Sequence, residues 1–570
     1  MNTYIVPRVQ GTYADILTAL GLAKLLSVSD LTGSRPVQLR SDNGRDAFIL
    51  ESAEPDVSAH VGQLYEYIKT EKDKDAPADF YDYDKKKADR EKFFKWQAAH
   101  KAEAKAGRYP DDTPPPSPNY SLFSSLVDML KPINSSGYAS AYRELASERR
   151  AEHFQIALEA FSGGGLPSEI AAAALKKRLK GNKTNEVSIV QIFNPMTGKG
   201  MNSPKANTVG MGQEKAPLVL EALKYAGWFV GAVAVTPKGS KDLKVLVVQP
   251  TDIKLDTLAD VMMAFRAEFV GGGAIQVDIL AALTLTETLL KHDDHKTYRR
   301  GRPKELISGF QTAYFQNLGS AKGVTNISFI ALPHWVNLQD DAGRGEWLGI
   351  LKEHRQIIRN LDESHSEERN LLEKYRDFLS GQDARAFLEF LSDYGPHVLR
   401  LADRGKYALW AQTEHLGRVL NNMGKNDITT IISDAGFQNV AGAIRRATFS
   451  ALYAKKKHNN RTFEVHYGLA QELKRSAVTK AKFMAALAEF VTEYMTENLR
   501  AADRGKKGRA PVTTEDLLAV GKLLDEHDPQ MVAMLLIAYG YAKEPKDETP
   551  EPVTTPDNPD QDTQNQEENE

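Results

Sequence analysis

Near Arg344 the texture of the chain changes, and that break constrains the fold more than any motif does. Upstream of it, short β-branched runs bounded by Gly, Pro or Asn read as strands: TYIVPRVQ (3–10), AFILES (47–52), EVSIVQIF (186–193), KVLVVQP (244–250) and NISFIALPHW (326–335). Between them, segments such as YADILTALGLAKLLS, PLVLEALKYAGWFVG and AIQVDILAALTLTETLL repeat apolar residues at three- and four-residue spacing, the period of a helix. Downstream the strand signals vanish. Helical patterns run to about Ala542, among them EWLGILKEHRQIIRNLD, RNLLEKYRDFLSG and AKFMAALAEFVTEYMTENLRAADRG. The expected architecture is α+β: a mixed α/β domain over 1–343, then an all-α bundle over 344–543 large enough to fold alone. No regular strand–helix repeat of a doubly wound sheet emerges.

A charged stretch, 70–119, interrupts the first domain. It reads as an insertion with a helix near 84–106 and a stiff proline-rich exit. From Glu544 onward the chain carries 10 acidic residues and one lysine, with proline and no apolar period, so 544–570 is expected to be a disordered acidic tail. The whole-chain charge of −3 therefore hides a body with 72 basic and 66 acidic residues. With no cysteine, disulfides, thiolate zinc sites, iron–sulfur clusters and cysteine nucleophiles are excluded. No apolar run approaches the roughly 20 residues needed to span a bilayer. The start MNTYIVPRVQ lacks the regions of a signal peptide, so a cytoplasmic protein without a membrane partner is expected.

The loop FNPMTGKGMNSPKANTVGMGQEK (193–215) looks at first like a phosphate cradle. It fails that test: Phe193 stands where the leading glycine of a P-loop belongs, and Gly200 follows Lys199 where Ser or Thr must hold magnesium. What survives is glycine-freed backbone N–H groups beside Lys199, Lys205 and Lys215, which suit phosphate oxygens. The amides of Asn194 and Asn202 offer a donor and an acceptor together, as a base edge requires. A mobile surface loop is the competing reading. KHDDHK (291–296) places His292, Asp293, Asp294 and His295 on consecutive positions, which point apart on a helix, so it reads as a polar helix end rather than a metal site. There is no nucleophile elbow, no HExxH and no P-loop, so neither an enzyme nor a cofactor is expected. The basic segments speak more clearly. Residues 171–244 carry 12 Lys/Arg against 4 Asp/Glu, and 441–509 carry 15 against 6, with Phe449, Tyr453, Phe463 and Tyr467 interleaved. Lysine and arginine stripes serve phosphates and interleaved aromatics serve base stacking, which points to nucleic acid.

Residues 436–500 resemble a known family. An AIR segment (Ala443, Ile444, Arg445), a tyrosine with lysines, a YGL-x-Q-x-LKR core (Tyr467, Gly468, Leu469, Gln471, Leu473, Lys474, Arg475) and a helix ending in Y-x-x-EN (Tyr494, Glu497, Asn498) are similar to the C-terminal helical domain of the large subunit of type I CRISPR Cascade complexes, the type I-B group above all. FNPMTGKGMNSPKA and YFQNLGSAKGVTNISFIALPHW agree as well, whereas 1–180 gives no match. The resemblance implies a non-catalytic subunit that inspects the PAM in duplex DNA, starts strand separation, stabilises the R-loop and recruits a helicase–nuclease. It implies as partners crRNA, target double-stranded DNA, and the backbone, handle-binding and small subunits of the complex. Asn194, Thr197, Lys199, Asn202, Lys205 and Lys215 are the candidates for PAM and handle contacts. Arg445, Arg446, Lys455, Lys456, Lys457, Arg461, Lys474 and Arg475 are those for the DNA backbone. In such systems the helical part is also made separately, and Met423, the first methionine after Met263, marks an internal start at or near it. The alternatives are a nucleic-acid-binding scaffold unrelated to CRISPR and, behind it, a nucleic-acid-processing enzyme.

Overall fold

The computed structural model describes residues 2–30, 36–58, 63–69, 76–77, 80–105, 115, 136–182, 184–196, 215–292, 301–318, 322–338, 342–381, 384–407, 409–423, 426–458 and 460–544. They form two compact units, one built on 1–277 and 284–332, the other on 278–283 and 333–544. The chain divides at Leu332, some way before the change of texture at Arg344; the first helix beyond it starts at Ala342. The first unit is mixed and the second helical.

In the first unit the strands are β1 (Asn2–Pro7), β2 (Gln38–Asp42), β3 (Ala47–Ser52), β4 (Ile68–Lys69), β5 (Tyr81–Asp82), β6 (Glu186–Ser188), β7 (Lys215–Pro217), β8 (Ala232–Val235), β9 (Leu243–Pro250), β10 (Asp252–Lys254), β11 (Ile307–Asn317) and β12 (Lys322–Ala331). Its helices are α1 (Tyr13–Val28), α2 (Tyr83–Lys105), α3 (Ser136–Leu145), α4 (Arg150–Ser162), α5 (Pro167–Arg178), α6 (Leu218–Gly231), α7 (Leu255–Glu268) and α8 (Ala274–Lys291). Two antiparallel four-stranded sheets result, in the orders β1-β3-β2-β10 and β12-β11-β9-β8.

α1 is apolar nearly all round and buried from Tyr13 to Ala23, as befits a helix at the centre of a unit. It starts where Thr12 accepts from the Ala14 N–H and the Asp15 carboxylate accepts from the N–H groups of Gln10 and Gly11. It meets α6 backbone to backbone: a Cβ at Gly21 would lie 1.8 Å from the Leu223 oxygen, and one at Gly227 2.0 Å from the Leu17 oxygen. Only glycine permits that approach. The expected strand 186–193 stops at Ser188, and Val190–Asn194 closes in two backbone turns instead, Phe193 N to Val190 O and Asn194 N to Gln191 O. The apolar residues there serve burial, not pairing: Val190, Ile192 and Phe193 are all buried.

The second unit holds α9 (Ala342–Arg359), α10 (Ser366–Ser380), α11 (Ala384–Asp403), α12 (Thr413–Asn422), α13 (Asn426–Ser433), α14 (Ala435–Ala447), α15 (Phe449–His458), α16 (Leu469–Ser476), α17 (Lys480–Asp503), α18 (Thr514–Glu526) and α19 (Pro529–Gly540). One pole of its core is aromatic: Trp335, Trp347, His354, Tyr375, Phe378 and Phe387 stack and tilt on one another. The other pole joins α14, α18 and α19, with Gly436 against Asp516 and Ala519, and Gly540 against Ile444. Asp434 caps α14 through the Phe437 N–H, and Thr513 with Asp516 forms a capping box on α18. No helix among the described residues is long and apolar enough to cross a membrane.

Candidate nucleic-acid interface

The start of the 193–215 loop is a buried anchor. Tyr13 donates its hydroxyl to the Ile192 carbonyl at 2.6 Å, and Phe193 packs edge-on against Tyr225 and Trp228. Asn194 is fully buried. Its Nδ2 donates to Val190 O at 3.2 Å and to Glu221 Oε2 at 3.0 Å, and its Oδ1 accepts from Lys224 Nζ at 2.5 Å. Glu221 and Lys224, one helical turn apart on α6, are themselves 2.6 Å apart and buried. Asn194 therefore satisfies the spare valences of a buried ion pair, and its amide is not offered to a base edge. That corrects the sequence expectation, which saw the amide chemistry but not the two charged partners downstream. Lys215 is exposed at the start of β7. Thr197, Lys199, Asn202 and Lys205 lie outside the described residues, as do Asp293, Asp294 and His295 of KHDDHK.

The basic run 176–183 begins in the last turn of α5, and its residue 183 lies outside the described residues. Arg178 is taken by Glu159 at 2.6 Å and Glu152 at 3.3 Å, while Lys176, Lys177 and Lys180 are exposed. Beside it, the Glu144 carboxylate gathers Arg149, His153, Asn182 and Thr184 at 2.6, 3.1, 2.8 and 3.0 Å. Burial raises the Glu144 pKa, but these donors outweigh it and hold the group down at about 2. This cluster ties the turn before β6 to the α3–α4 corner.

In the helical unit the eight backbone candidates separate by role. Arg445 is buried and reaches the end of α19: its Nε donates to Ala542 O and an Nη to Tyr539 O, both at 2.7 Å, with Glu544 on the other Nη. Burial pushes its pKa down to about 10. It satisfies carbonyls at the end of α19, the Tyr539 oxygen sharing its lone pairs with the Ala542 N–H, and a guanidinium spent there is not offered to DNA. Lys474 is bound to Asp393 at 2.6 Å and Ser392 at 3.1 Å, and Lys374 holds the same carboxylate. Arg446 donates to Tyr494 Oη at 2.8 Å and to Ala510 O at 3.5 Å. Lys456 pairs with Asp403, and the Lys455 ammonium stands 5.9 Å from the Tyr467 ring centre. Lys457 sits in the last turn of α15, and Arg475 is exposed in the last turn of α16.

Arg461 is the candidate around which a surface assembles. The loop 460–468 lies against the loop 504–513: Lys506 Nζ donates to Thr462 Oγ1 at 2.8 Å, and the Arg509 guanidinium stacks 4.1 Å from Phe463 and 3.9 Å from Tyr494. Glu497 accepts from Arg509 at 2.7 Å and from His466 at 3.0 Å, and the Asn498 amide closes on Arg509 from both sides. Tyr494, Glu497 and Asn498 are thus a bracket for the second loop. Held on it, Asn460, Thr462, Phe463, Lys506 and Lys507 line a shallow cleft, with Arg461 and Arg504 exposed at its side. Among the described residues, no carboxylate pairs with Arg461, Arg504, Lys506 or Lys507; Glu464 in the first loop and Asp503 at the end of α17 stay exposed and unengaged with them. An unpaired cationic corner with an aromatic floor suits a phosphate backbone. Lys506 and Lys507 were visible in sequence as RGKKGR, but only the loop packing joins them to Arg461. The chain matches no protein-family model and no curated protein.

Proposed function

We propose that the chain is a non-catalytic nucleic-acid-binding protein, the large subunit of a type I Cascade complex. It works in the cytoplasm with crRNA, target duplex DNA, the other Cascade subunits and a helicase–nuclease recruited in trans. The observation that carries this reading is the cationic corner of Arg461, Lys506 and Lys507, held by Tyr494, Glu497 and Asn498, the very residues of the family pattern. Shared residues of a pattern that build the scaffold of a phosphate-binding corner support both the likeness and a nucleic-acid ligand. In this reading the exposed cations supply backbone contacts along the displaced strand. PAM inspection falls to the loop that begins after Asn194 and ends at Lys215.

Expressed with its neighbouring genes, the chain should co-purify with a guide RNA carrying a constant 5′ handle. Changing Arg461, Lys506 and Lys507 to glutamine together should weaken duplex binding uniformly across sequences. It should also reduce the slope of log affinity against log salt by about 3, roughly 0.9 for each phosphate left without its cation. A chain that binds duplex DNA with an unchanged slope in that variant refutes the corner, and purification without any handle-bearing RNA refutes the Cascade reading.

A further inference from the structure

The described residues end at Glu544, in the helical unit that also carries the cationic corner. Lys543 is clipped in place by two backbone bonds, its N–H to Ala411 O at 2.8 Å and its carbonyl to Thr413 N–H at 3.0 Å. Glu544, the first acidic residue of the tail, is already seated on Arg445. The next residue of α14, Arg446, turns the other way and donates to Ala510 O, in the loop that carries Lys506 and Lys507. Two adjacent arginines thus hold, one each, the chain's exit and the base of the corner. Beyond Glu544 the sequence continues for residues 545–570 with nine further carboxylates, one lysine and five prolines. Twenty-six residues reach about 85 Å when extended, long enough to return to a surface of the same helical unit.

We infer that the acidic tail, residues 545–570, folds back onto the corner of Arg461, Lys506 and Lys507 and occupies it until a polyanion displaces it. Prolines keep a segment out of helix, so its carboxylates are presented along an open chain, much as phosphates are along a strand. Each exposed ion pair is weak, with a median near 0–1 kcal/mol. Tethering changes the balance: a short flexible connection raises the local concentration to the millimolar range, so an intrinsic dissociation constant about tenfold below it is enough for near-full occupancy. The tail then acts as a selectivity filter. Isolated non-specific contacts must displace it, while a ligand held at several places by the rest of the protein does so readily. Docking of the tail stands apart from the Cascade reading; only its consequence for nucleic acid rests on that reading.

The test uses the full chain, a chain ending at Glu544, and the R461Q/K506Q/K507Q variant of each. Carbodiimide coupling of the full chain, mapped by mass spectrometry, should join tail carboxylates to Lys506 and Lys507, and high salt should abolish those links. Ending the chain at Glu544 should tighten binding of a mixed-sequence single-stranded DNA about tenfold at low salt, as for a tether whose effective concentration is about tenfold above its intrinsic dissociation constant. In the triple variant the same truncation should change affinity little. Tail links confined to other lysines overturn the proposal. So does an equal gain on truncation in the triple variant, which would mean that the tail acts through net charge alone. If no form binds DNA, the nucleic-acid reading fails while the cross-links still decide where the tail sits.

Discussion

Replacing Asn194 by alanine should destabilise the mixed unit rather than strip a ligand contact from an otherwise intact protein. The amide makes one hydrogen bond to a backbone carbonyl and two to charged partners, Glu221 and Lys224, all buried. A net value of about 1 kcal/mol fits the neutral bond, and about 1.5 kcal/mol each the charged ones, the low end because Glu221 and Lys224 still hold each other at 2.6 Å. The sum is on the order of 3–4 kcal/mol. For a unit of this size that corresponds to a fall in Tm of about 2 °C per kcal/mol, so roughly 6–8 °C. Scanning calorimetry is the right assay, because only the transition of the mixed unit should move and that of the helical unit should stay. N194D should fare worse than alanine, since it replaces the donor facing the Glu221 carboxylate and buries a third charge. An Asn194→Ala protein with both transitions unchanged and nucleic-acid binding lost would refute the reasoning and return Asn194 to the ligand.

Gly227→Ala places a Cβ 2.0 Å from the Leu17 oxygen, so α1 and α6 must part along their whole crossing; a loss of at least about 3 kcal/mol is expected in urea unfolding, above the ordinary 1–3 kcal/mol of overpacking because backbone cannot rotate aside. Arg445→Ala strips the Ala542 carbonyl of its guanidinium donor and leaves the Tyr539 carbonyl only the Ala542 N–H, and it should cost about 3 kcal/mol in the helical transition, whereas Arg461→Gln should stay within about 0.5 kcal/mol. Burial keeps the His354 imidazole neutral, its pKa pushed down to about 4. The unfolded state therefore binds one proton more between about pH 6.5 and 4, and stability should fall by about 3 kcal/mol as pH drops through that window. His415 works in the opposite sense: its hydrogen bond to Glu353 raises its pKa, so its contribution is full below the ordinary histidine value and is lost as pH rises through the folded one. H354F should flatten the acid limb of a plot of stability against pH, and an unchanged slope would count against a buried neutral imidazole.

The sequence reads best where one period dominates. β3 starts and ends on AFILES as expected, α2 lies within a residue of the helix expected in the charged stretch, and α6, α8 and α17 lie within a residue or two of their apolar patterns. β2, β8 and β10 have no such signal: AVAV and DIK are strands only because β9 and β2 supply partners from afar. EVSIVQIF fails for the reverse reason: Val190, Ile192 and Phe193 are buried instead of paired, Phe193 against Tyr225 of α6. The site was legible as composition and not as geometry. A basic segment announces itself, but which lysines are free depends on whether an acid waits across a helix, as Asp393 does for Lys474 and Asp403 for Lys456.

That division bears on how far a motif can speak for a ligand. Arg445, Lys474, Tyr494, Glu497 and Asn498 carry the family resemblance, and each is spent on holding the helical unit together. Their spacing is demanding because interlocked hydrogen bonds tolerate little displacement, which is what makes such a pattern recognisable. An exposed cation on a loop has no such constraint: its flexible side chain reaches a phosphate from many positions, so under the proposed function the exact placement of Arg461, Lys506 and Lys507 matters less than that of the bracket beneath them. The consequence is testable within this chain. Moving one cation, with K507Q and N460K made together, should leave duplex affinity and its salt slope nearly unchanged, because position 460 lines the same cleft. Breaking the bracket with E497Q should release Arg509, loosen both loops and lower affinity although no phosphate-binding charge has been removed. Equal affinities for wild type and E497Q would mean that the loops hold their places without Glu497, and the division between framework and contact residues would fall.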